Sequence, residues 1–359
     1  MRIVIVGGGT GGHLYPGIAV AQELRRWAPR ARIIFIGSKD GPERGILERE
    51  GYAHYGITAA GLARRARREQ LLAMARVCQG FGESMRLLRR VQPHMVLGLG
   101  SYVAAPVMLA AWTLGIPRLI HEQNVIPGLA NRLLGRFANR VAVSFEASVA
   151  HFPKGKAMVT GNPVRPVMWQ VRSRQRASDS RFQLLVFGGS QGAHHLNVAM
   201  LDALPHLADA LEGLWFVHQT GHDDYASVQT IYAEKAHPGI VHAYICDMAA
   251  EYAAADLVIC RAGATTIAEL MATGKPAILV PFPYAANDHQ AHNAHTLASA
   301  GAAVVIPDRE LTGGLLAERI RHYQQHPQEV DDMAARMLAL GKPDAAMRVA
   351  HLCLELCRL

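Results

Sequence analysis

The sequence predicts an α/β protein of two Rossmann-like domains with a cleft between them. Three observations predict this. The chain has 359 residues, too many for one ordinary core and suited to two domains of roughly 150 residues each. The same opening occurs twice: an apolar strand, a glycine-rich turn and an apolar-periodic helix. Finally, short apolar strands alternate with helical patterns along the whole chain, as doubly wound parallel sheets require.

The first opening is Arg2–Val6 as strand, Gly7 to Gly12 as turn, and a helix around Ile18 to Leu24. The second is Gln183–Phe187, then Gly188 to Gly192, then a helix through Leu196 to Leu204. Further strands are expected at 32–36, 95–99, 118–121, 141–143, 215–218, 240–245, 257–260, 277–280 and 303–306. The polar stretch Arg172 to Arg181 lacks apolar periodicity and reads as a loop near the junction. The junction is expected at 161–166, giving domains 1–162 and 163–341. A final helix, 342–359, set off by Gly341 and Pro343, is expected to return to the first domain. In such sheets ligands sit beyond the carboxyl ends of the strands, so the loops there are where chemistry is sought.

Half the residues are hydrophobic and 18% are charged, which excludes a disordered chain. The net charge of +8 is concentrated: Gly61 to Gln92 hold eight Arg and two Glu, a local +6. Such a patch implies an anionic partner. Five cysteines without CxxC pairing fit reduced core thiols and a cytoplasmic setting. The longest apolar run, 103–120, is interrupted by Pro106, Gly115, Pro117 and Arg118, short of the ~20 apolar residues of a membrane helix. The chain is expected to be soluble or peripheral.

Gly7 to Gly12 contains the GxGxxG pattern of dinucleotide-binding loops. That reading also wants an acid at the end of the second strand to hold a ribose. Here the strand ends Gly37-Ser38 and Asp40 comes late, which disfavours a nicotinamide oxidoreductase. The loop is one of four. The others are Gly98 to Tyr102, Gly188 to Gly192 and Arg261 to Thr266. Glycine turns let backbone N–H groups approach a phosphate closely, and helix N-termini favour negative charge. Glu269, one to two turns into the helix after the fourth loop, is placed to accept hydrogen bonds from a ribose diol. The alternative is a solvated surface glutamate.

Together these residues closely resemble the undecaprenyldiphospho-muramoylpentapeptide β-N-acetylglucosaminyltransferases, the MurG group of glycosyltransferase family 28. The resemblance spans nearly the whole chain. It rests on Gly8 to Pro16, Gly98 to Pro106, His121-Glu122-Gln123-Asn124 and Gly161 to Arg165. It continues in Gly188 to Ala193, Arg261 to Glu269, Asp288-His289-Gln290 and Asn293. It implies a GT-B architecture. The implied reaction is inverting transfer of N-acetylglucosamine from UDP-N-acetylglucosamine to the muramoyl 4-hydroxyl of lipid I, giving lipid II. The implied place is the cytoplasmic face of the bacterial inner membrane.

By matching positions, the resemblance implies that Ser190 meets the donor diphosphate with Arg165 nearby. The Ile245 backbone would read the uracil edge. Ala264, Thr265, Thr266, Ile267, Ala268 and Glu269 would line the nucleotide, and Gln290 would bond the sugar. Thr10, Gly11, Gly12 and Asn124 would close on the donor from the first domain. Gly100, Ser101 and Tyr102 would hold the acceptor diphosphate. Members usually carry Gly-Gly-Tyr in that loop; here Ser101 replaces the second glycine, at a cost in conformational freedom if its φ is positive.

Inverting transfer needs a base and a stabiliser of the departing UDP. His13 follows a glycine loop, and imidazole titrates near neutral pH, so it is the first candidate; packing of the helix start is the alternative. Glu122 is the rival base, or else an acceptor for backbone N–H groups. Leaving-group charge would fall on loop amides, helix dipoles and Arg165. There is no Asp-x-Asp motif, Asp223-Asp224 and Asp331-Asp332 read as surface, and His194-His195 point apart on a helix. Neither an essential metal nor a cofactor is expected.

Leu71, Met74, Cys78, Phe81, Met85 and Leu88 recur at helical spacing amid the arginines, among them Arg64, Arg65, Arg67 and Arg68. Much of this stripe reads as an ordinary amphipathic face. The arginine excess is expected to meet an anionic membrane surface. Nucleic acid is not expected, because no aromatic residues interleave with the charge. The competing readings are a UDP-N-acetylglucosamine 2-epimerase of the same two-domain plan and a non-catalytic nucleotide-binding or scaffold protein.

Overall fold

The computed structural model describes residues 1–8, 11–39, 41, 43–59, 67–171, 181–189 and 192–358, with the backbone alone at 11 and 67–73. Two units emerge, Met1–Arg165 with Lys342–Leu359, and Pro166–Gly341. The division falls three residues beyond the expected 162.

In unit 1 the elements run β1 (Arg2–Val6), α1 (Gly11–Trp27), β2 (Arg32–Ser38), α2 (Glu43–Arg49), β3 (Ala53–Ile57) and α3 (Arg67–Val91). They continue with β4 (Met95–Gly98), α4 (Ala104–Thr113), β5 (Arg118–Glu122), α5 (Leu129–Leu134), β6 (Arg140–Val143) and β7 (Ala157–Val159). All seven strands pair parallel, in the order β3-β2-β1-β4-β5-β6-β7.

A parallel sheet is covered on both faces, so its strands are apolar throughout. β1 shows why. Ile3 and Ile5 point into one cluster with Leu14, Ile18, Leu24 and Phe35. Val4 and Val6 point into the opposite cluster with Leu88, Val96, Val107 and Ile120. The first cluster also takes Val349, Ala350, Leu352, Cys353 and Leu356 of α14 (Ala345–Leu356). The last helix therefore lies beside α1, with Trp27 edge-on to His351 at 5.1 Å between ring centroids. All five cysteines are free; Cys260 and Cys353 are core thiols and Cys357 is half-buried, but Cys78 and Cys246 are exposed, so the expected core placement does not hold for those two.

Unit 2 opens with α6 (Pro166–Trp169), then β8 (Phe182–Phe187), α7 (His194–Ala203), β9 (Leu214–Gln219), α8 (His222–Glu234) and β10 (Gly239–His242). There follow α9 (Met248–Ala254), β11 (Leu257–Cys260), α10 (Ala264–Thr273), β12 (Ala277–Leu279), α11 (His289–Ser299), β13 (Ala303–Val305), α12 (Gly313–Gln325) and α13 (Pro327–Ala339). Its parallel sheet runs β10-β9-β8-β11-β12-β13. Counted from the first strand of each unit, both sheets begin 3-2-1-4-5-6. The repeated sequence opening thus builds the same topology twice.

The strand expected at 240–245 stops at His242. Ile245 lies in the following loop, where its amide bonds a side chain instead of a neighbouring strand. Two strands were not foreseen, β3 and β7; both are sheet edges. The expected loop at 172–181 lies, but for Arg181, outside the described residues.

Candidate active site

In each sheet the strand order reverses direction at one place: between β1 and β4 in unit 1, and between β8 and β11 in unit 2. Ligand crevices form beyond the carboxyl ends of strands at such points. All four glycine loops leave these strands.

In unit 1, Gly7 and Gly8 leave β1 and α1 begins at Gly11; Thr10 lies outside the described residues. Gly12 and His13 occupy the first turn of α1. His13 Nδ1–H donates to the Leu99 carbonyl at 2.9 Å, which fixes the tautomer with the ring's basic lone pair on Nε2. Gln123 Nε2, almost fully buried, donates to the same carbonyl at 2.8 Å. That carbonyl is aimed by a left-handed corner, Gly100 at φ 87° and Ser101 at φ 69°. The backbone of Gly100 passes over His13: a Cβ there would stand 3.3 Å from the ring. Ser101 does occupy the positive-φ position that glycine suits, and its Oγ accepts from Val103 N at 3.3 Å. Tyr102 is exposed.

Glu122 ends β5 and is 2% exposed. It accepts from Asn124 N (3.0 Å), Asn124 Nδ2 (3.1 Å), Gly128 N (3.3 Å) and Asn131 Nδ2 (2.9 Å). Burial raises its pKa while those four donors pull it down. Both carboxylate oxygens are thus committed to shaping the 124–131 turn. His121 is fully buried, donates Nε2–H to the Gly161 carbonyl at 3.1 Å, and is held neutral, its pKa pushed down to about 4 by burial. Arg165 closes unit 1, its guanidinium 4.4 Å from the Tyr15 ring centre.

Sequence reasoning missed Glu43. It is buried, accepts from Ser38 N at 2.8 Å, and lies so close to Gly8, Gly37 and Gly41 that a Cβ on any of them would come within 2.4 Å of its carboxylate. Those glycines are needed for this approach as much as for a ligand. Ser38, Gly37 and Gly41 are near it in sequence, but only the folded sheet brings Gly8 against its carboxylate.

In unit 2, Gly188 and Gly189 leave β8; Ser190 lies outside the described residues. Gly189 (φ 97°) accepts from Gly192 N at 3.1 Å, closing the turn. Gln219, at the end of β9, also went unforeseen. Its Nε2 donates to Gly189 O (3.0 Å) and its Oε1 accepts from Ile245 N (2.8 Å), tying two loops together. The Ile245 amide is therefore engaged within the protein.

Helix α10 starts at Ala264 after Gly263, which brings no side chain to cap it. Ala264, Thr265 and Thr266 form its half-buried first turn; Ile267 and Ala268 are buried. Glu269 is 8% exposed and accepts from Tyr252 O–H at 3.3 Å, so it is no solvated surface group. Gln290, in α11, accepts from Phe282 N at 2.9 Å through Oε1, which orients its amide. The buried Arg261 ion-pairs with Asp308, which also binds His195 at 2.9 Å, while His194 pairs with Asp224 at 2.9 Å. The adjacent histidines thus serve different carboxylates.

Of the basic stripe, Arg64 and Arg65 lie outside the described residues, and Arg67, Arg68 and Leu71 are placed on α3 by backbone alone. Met74 is 53% exposed. Phe81 is half-buried and packs against the core with Met85, and Leu88, outside the expected patch, is buried. One helical turn after another rotates the stripe from solvent into the sheet-facing side.

Residues 3–143 match the glycosyltransferase family 28 N-terminal domain and residues 183–349 its C-terminal domain. The chain belongs to glycosyltransferase family 28. A family 28 relative from Syntrophus aciditrophicus, a UDP-N-acetylglucosamine–N-acetylmuramyl-(pentapeptide) pyrophosphoryl-undecaprenol N-acetylglucosamine transferase, is 44% identical over 100% of this chain and 99% of its own. Among solved structures, Acinetobacter baumannii MurG superposes with a TM-score of 0.76 at 31% identity, covering 99% of each chain. The UDP-GlcNAc 2-epimerase of Neisseria meningitidis has a TM-score of 0.68 at 14% identity, over 99% of this chain and 100% of its own, which shows shared fold alone. The family 28 chain is a glycosyltransferase of GT-B architecture.

Proposed function

We propose that this enzyme transfers N-acetylglucosamine from UDP-N-acetylglucosamine, with inversion, to the muramoyl 4-hydroxyl of undecaprenyl-diphospho-muramoylpentapeptide (lipid I), giving lipid II. The observation that carries the reading is the full-length match, at 44% identity, to a transferase named for that donor and acceptor.

His13 acts as the base. Its Nδ1–H is spent on the Leu99 carbonyl, so Nε2 is the nitrogen that takes the acceptor's hydroxyl proton. Glu122 positions Asn124 toward the sugar. Unit 2 holds the donor: the Gly188–Gly192 turn with Ser190 and the start of α10 take the diphosphate, aided by helix N-terminal amides. Glu269 accepts from the ribose diol. The Ile245 carbonyl reads the uracil, its amide being engaged by Gln219. The Gln290 amide donates to the sugar, and Arg165 supports the departing UDP. Gly100, Ser101 and Tyr102 face the acceptor diphosphate. Arg64, Arg65, Arg67, Arg68, Leu71 and Met74 meet the anionic cytoplasmic leaflet, each basic residue adding about 1 kcal/mol. No described helix is long and apolar enough to cross a membrane.

The test is transfer of labelled sugar from UDP-N-acetylglucosamine to a lipid I analogue, with and without EDTA. Transfer that survives EDTA is the expected result. Donor binding without transfer under either condition would remove the assignment in favour of the epimerase or a scaffold.

A further inference from the structure

At the corner between α12 and α13, three side chains with metal-ligand chemistry converge. His322 is in the last turn of α12, His326 joins the two helices, and Glu329 is in the first turn of α13. One potential donor atom from each lies within 4.8 Å of the others. Pro327 opens α13, and its locked φ holds the corner and the i, i+3 relation of His326 to Glu329. We propose that His322, His326 and Glu329 form a binding site for a zinc-class divalent transition metal, separate from the transfer chemistry.

The geometry supports this in detail. His326 Nδ1–H donates to the His322 carbonyl at 2.7 Å, so its basic lone pair is on Nε2. A backbone carbonyl holding the other ring nitrogen is the usual support of a metal-bound histidine. His322 Nε2–H donates to Glu329 Oε2 at 2.9 Å. A metal ion that displaced this proton would be bound by both atoms. The imidazole rings stack with centroids 4.3 Å apart and planes 22° from parallel. The His322 side chain is 38% exposed and that of Glu329 52%, so the cluster is open to an ion from solvent. Two imidazoles and one carboxylate select zinc, nickel, cobalt or copper over magnesium and calcium, which prefer all-oxygen sites. The remaining positions would be taken by water. A bound ion would clasp α12 to α13 and raise the melting temperature of the protein.

The test uses EDTA-stripped full-length protein titrated with zinc chloride by calorimetry, alongside His326→Ala and Glu329→Gln. Cobalt(II) absorption reports on the ligands, and circular dichroism on the fold. The wild type should take up one zinc ion at micromolar concentration that magnesium chloride does not compete for. Each variant should weaken it at least about tenfold and change the cobalt spectrum, with UDP-N-acetylglucosamine binding unchanged. Zinc binding of equal affinity and stoichiometry in all three proteins would overturn the proposal, because the ion would then sit on other histidines. So would no uptake by the wild type. Loss of transfer to EDTA would count against the proposed catalysis and not against this site.

Discussion

At the residue scale, Ser101 shows a sequence departure becoming a measurable strain. Left-handed backbone costs an L-residue about 1–2 kcal/mol, and Ser101 sits at φ 69° with one weak hydrogen bond from its Oγ in return. Ser101→Gly should stabilise the protein by up to about 1 kcal/mol in a denaturant titration, the gain being reduced by glycine's freedom in the unfolded chain. Ser101→Ala keeps the strain, loses the hydroxyl and should be less stable than either. Two buried histidines contribute to the response to acid. His121 and His218 are both held near pKa 4 by burial, below the 6.5 of an exposed ring. Between these values the unfolded chain binds more protons, so stability falls as pH drops from 6.5 toward 4. Each ring contributes a slope approaching about 1.4 kcal/mol per pH unit. His218→Asn, in unit 2, should be less stable at pH 7 and show a flatter acid slope. An unchanged slope would mean that His218 is not buried as a neutral ring.

At the element scale, α14 is the clearest case of a helix that packs away from its neighbours in the chain. It follows unit 2 in the chain yet fills the core of unit 1. Leu352→Ala should cost about 2–3 kcal/mol through lost burial and a cavity beside α1. The loss should appear in unit 1, read by hydrogen exchange in β1 and β4, with β8 and β11 spared. Its amphipathic pattern was legible, as were the central strands, because buried parallel strands are continuous apolar runs. β3 and β7 were not. As sheet edges they bury little: in β3 only Ile57 is buried, and β7 has three residues with none buried. The β10 boundary also escaped, since Ile245 continues the apolar run but gives its amide to Gln219. In the site, the glycine loops were visible because their residues are adjacent in sequence. Glu43, Gln219 and Asp308 were not: Gln219 and Asp308 reach partners distant in sequence, and Glu43 meets Gly8 only in the folded sheet.

At the scale of the whole molecule, the same strand order is built twice from unequal lengths of chain. Unit 2 is one continuous segment, 166–341, with its own core around Leu184, Phe216, Leu257 and Leu316. Unit 1 is completed by the chain's last residues. The two should therefore behave differently when separated. A 166–341 fragment should unfold cooperatively and bind UDP, since the proposed nucleotide loops all belong to it, but should transfer no sugar. A 1–165 fragment lacks α14, leaves Leu14, Ile18 and Leu24 partly uncovered, and should be expanded and prone to aggregate. Supplying 342–359, fused through a glycine-rich linker, should restore its cooperative unfolding. A folded 1–165 fragment would show that α14 is an accessory and not part of the core. A 166–341 fragment that folds without binding UDP would move the nucleotide contacts out of unit 2, leaving the family assignment intact but the division of labour between the two units reversed.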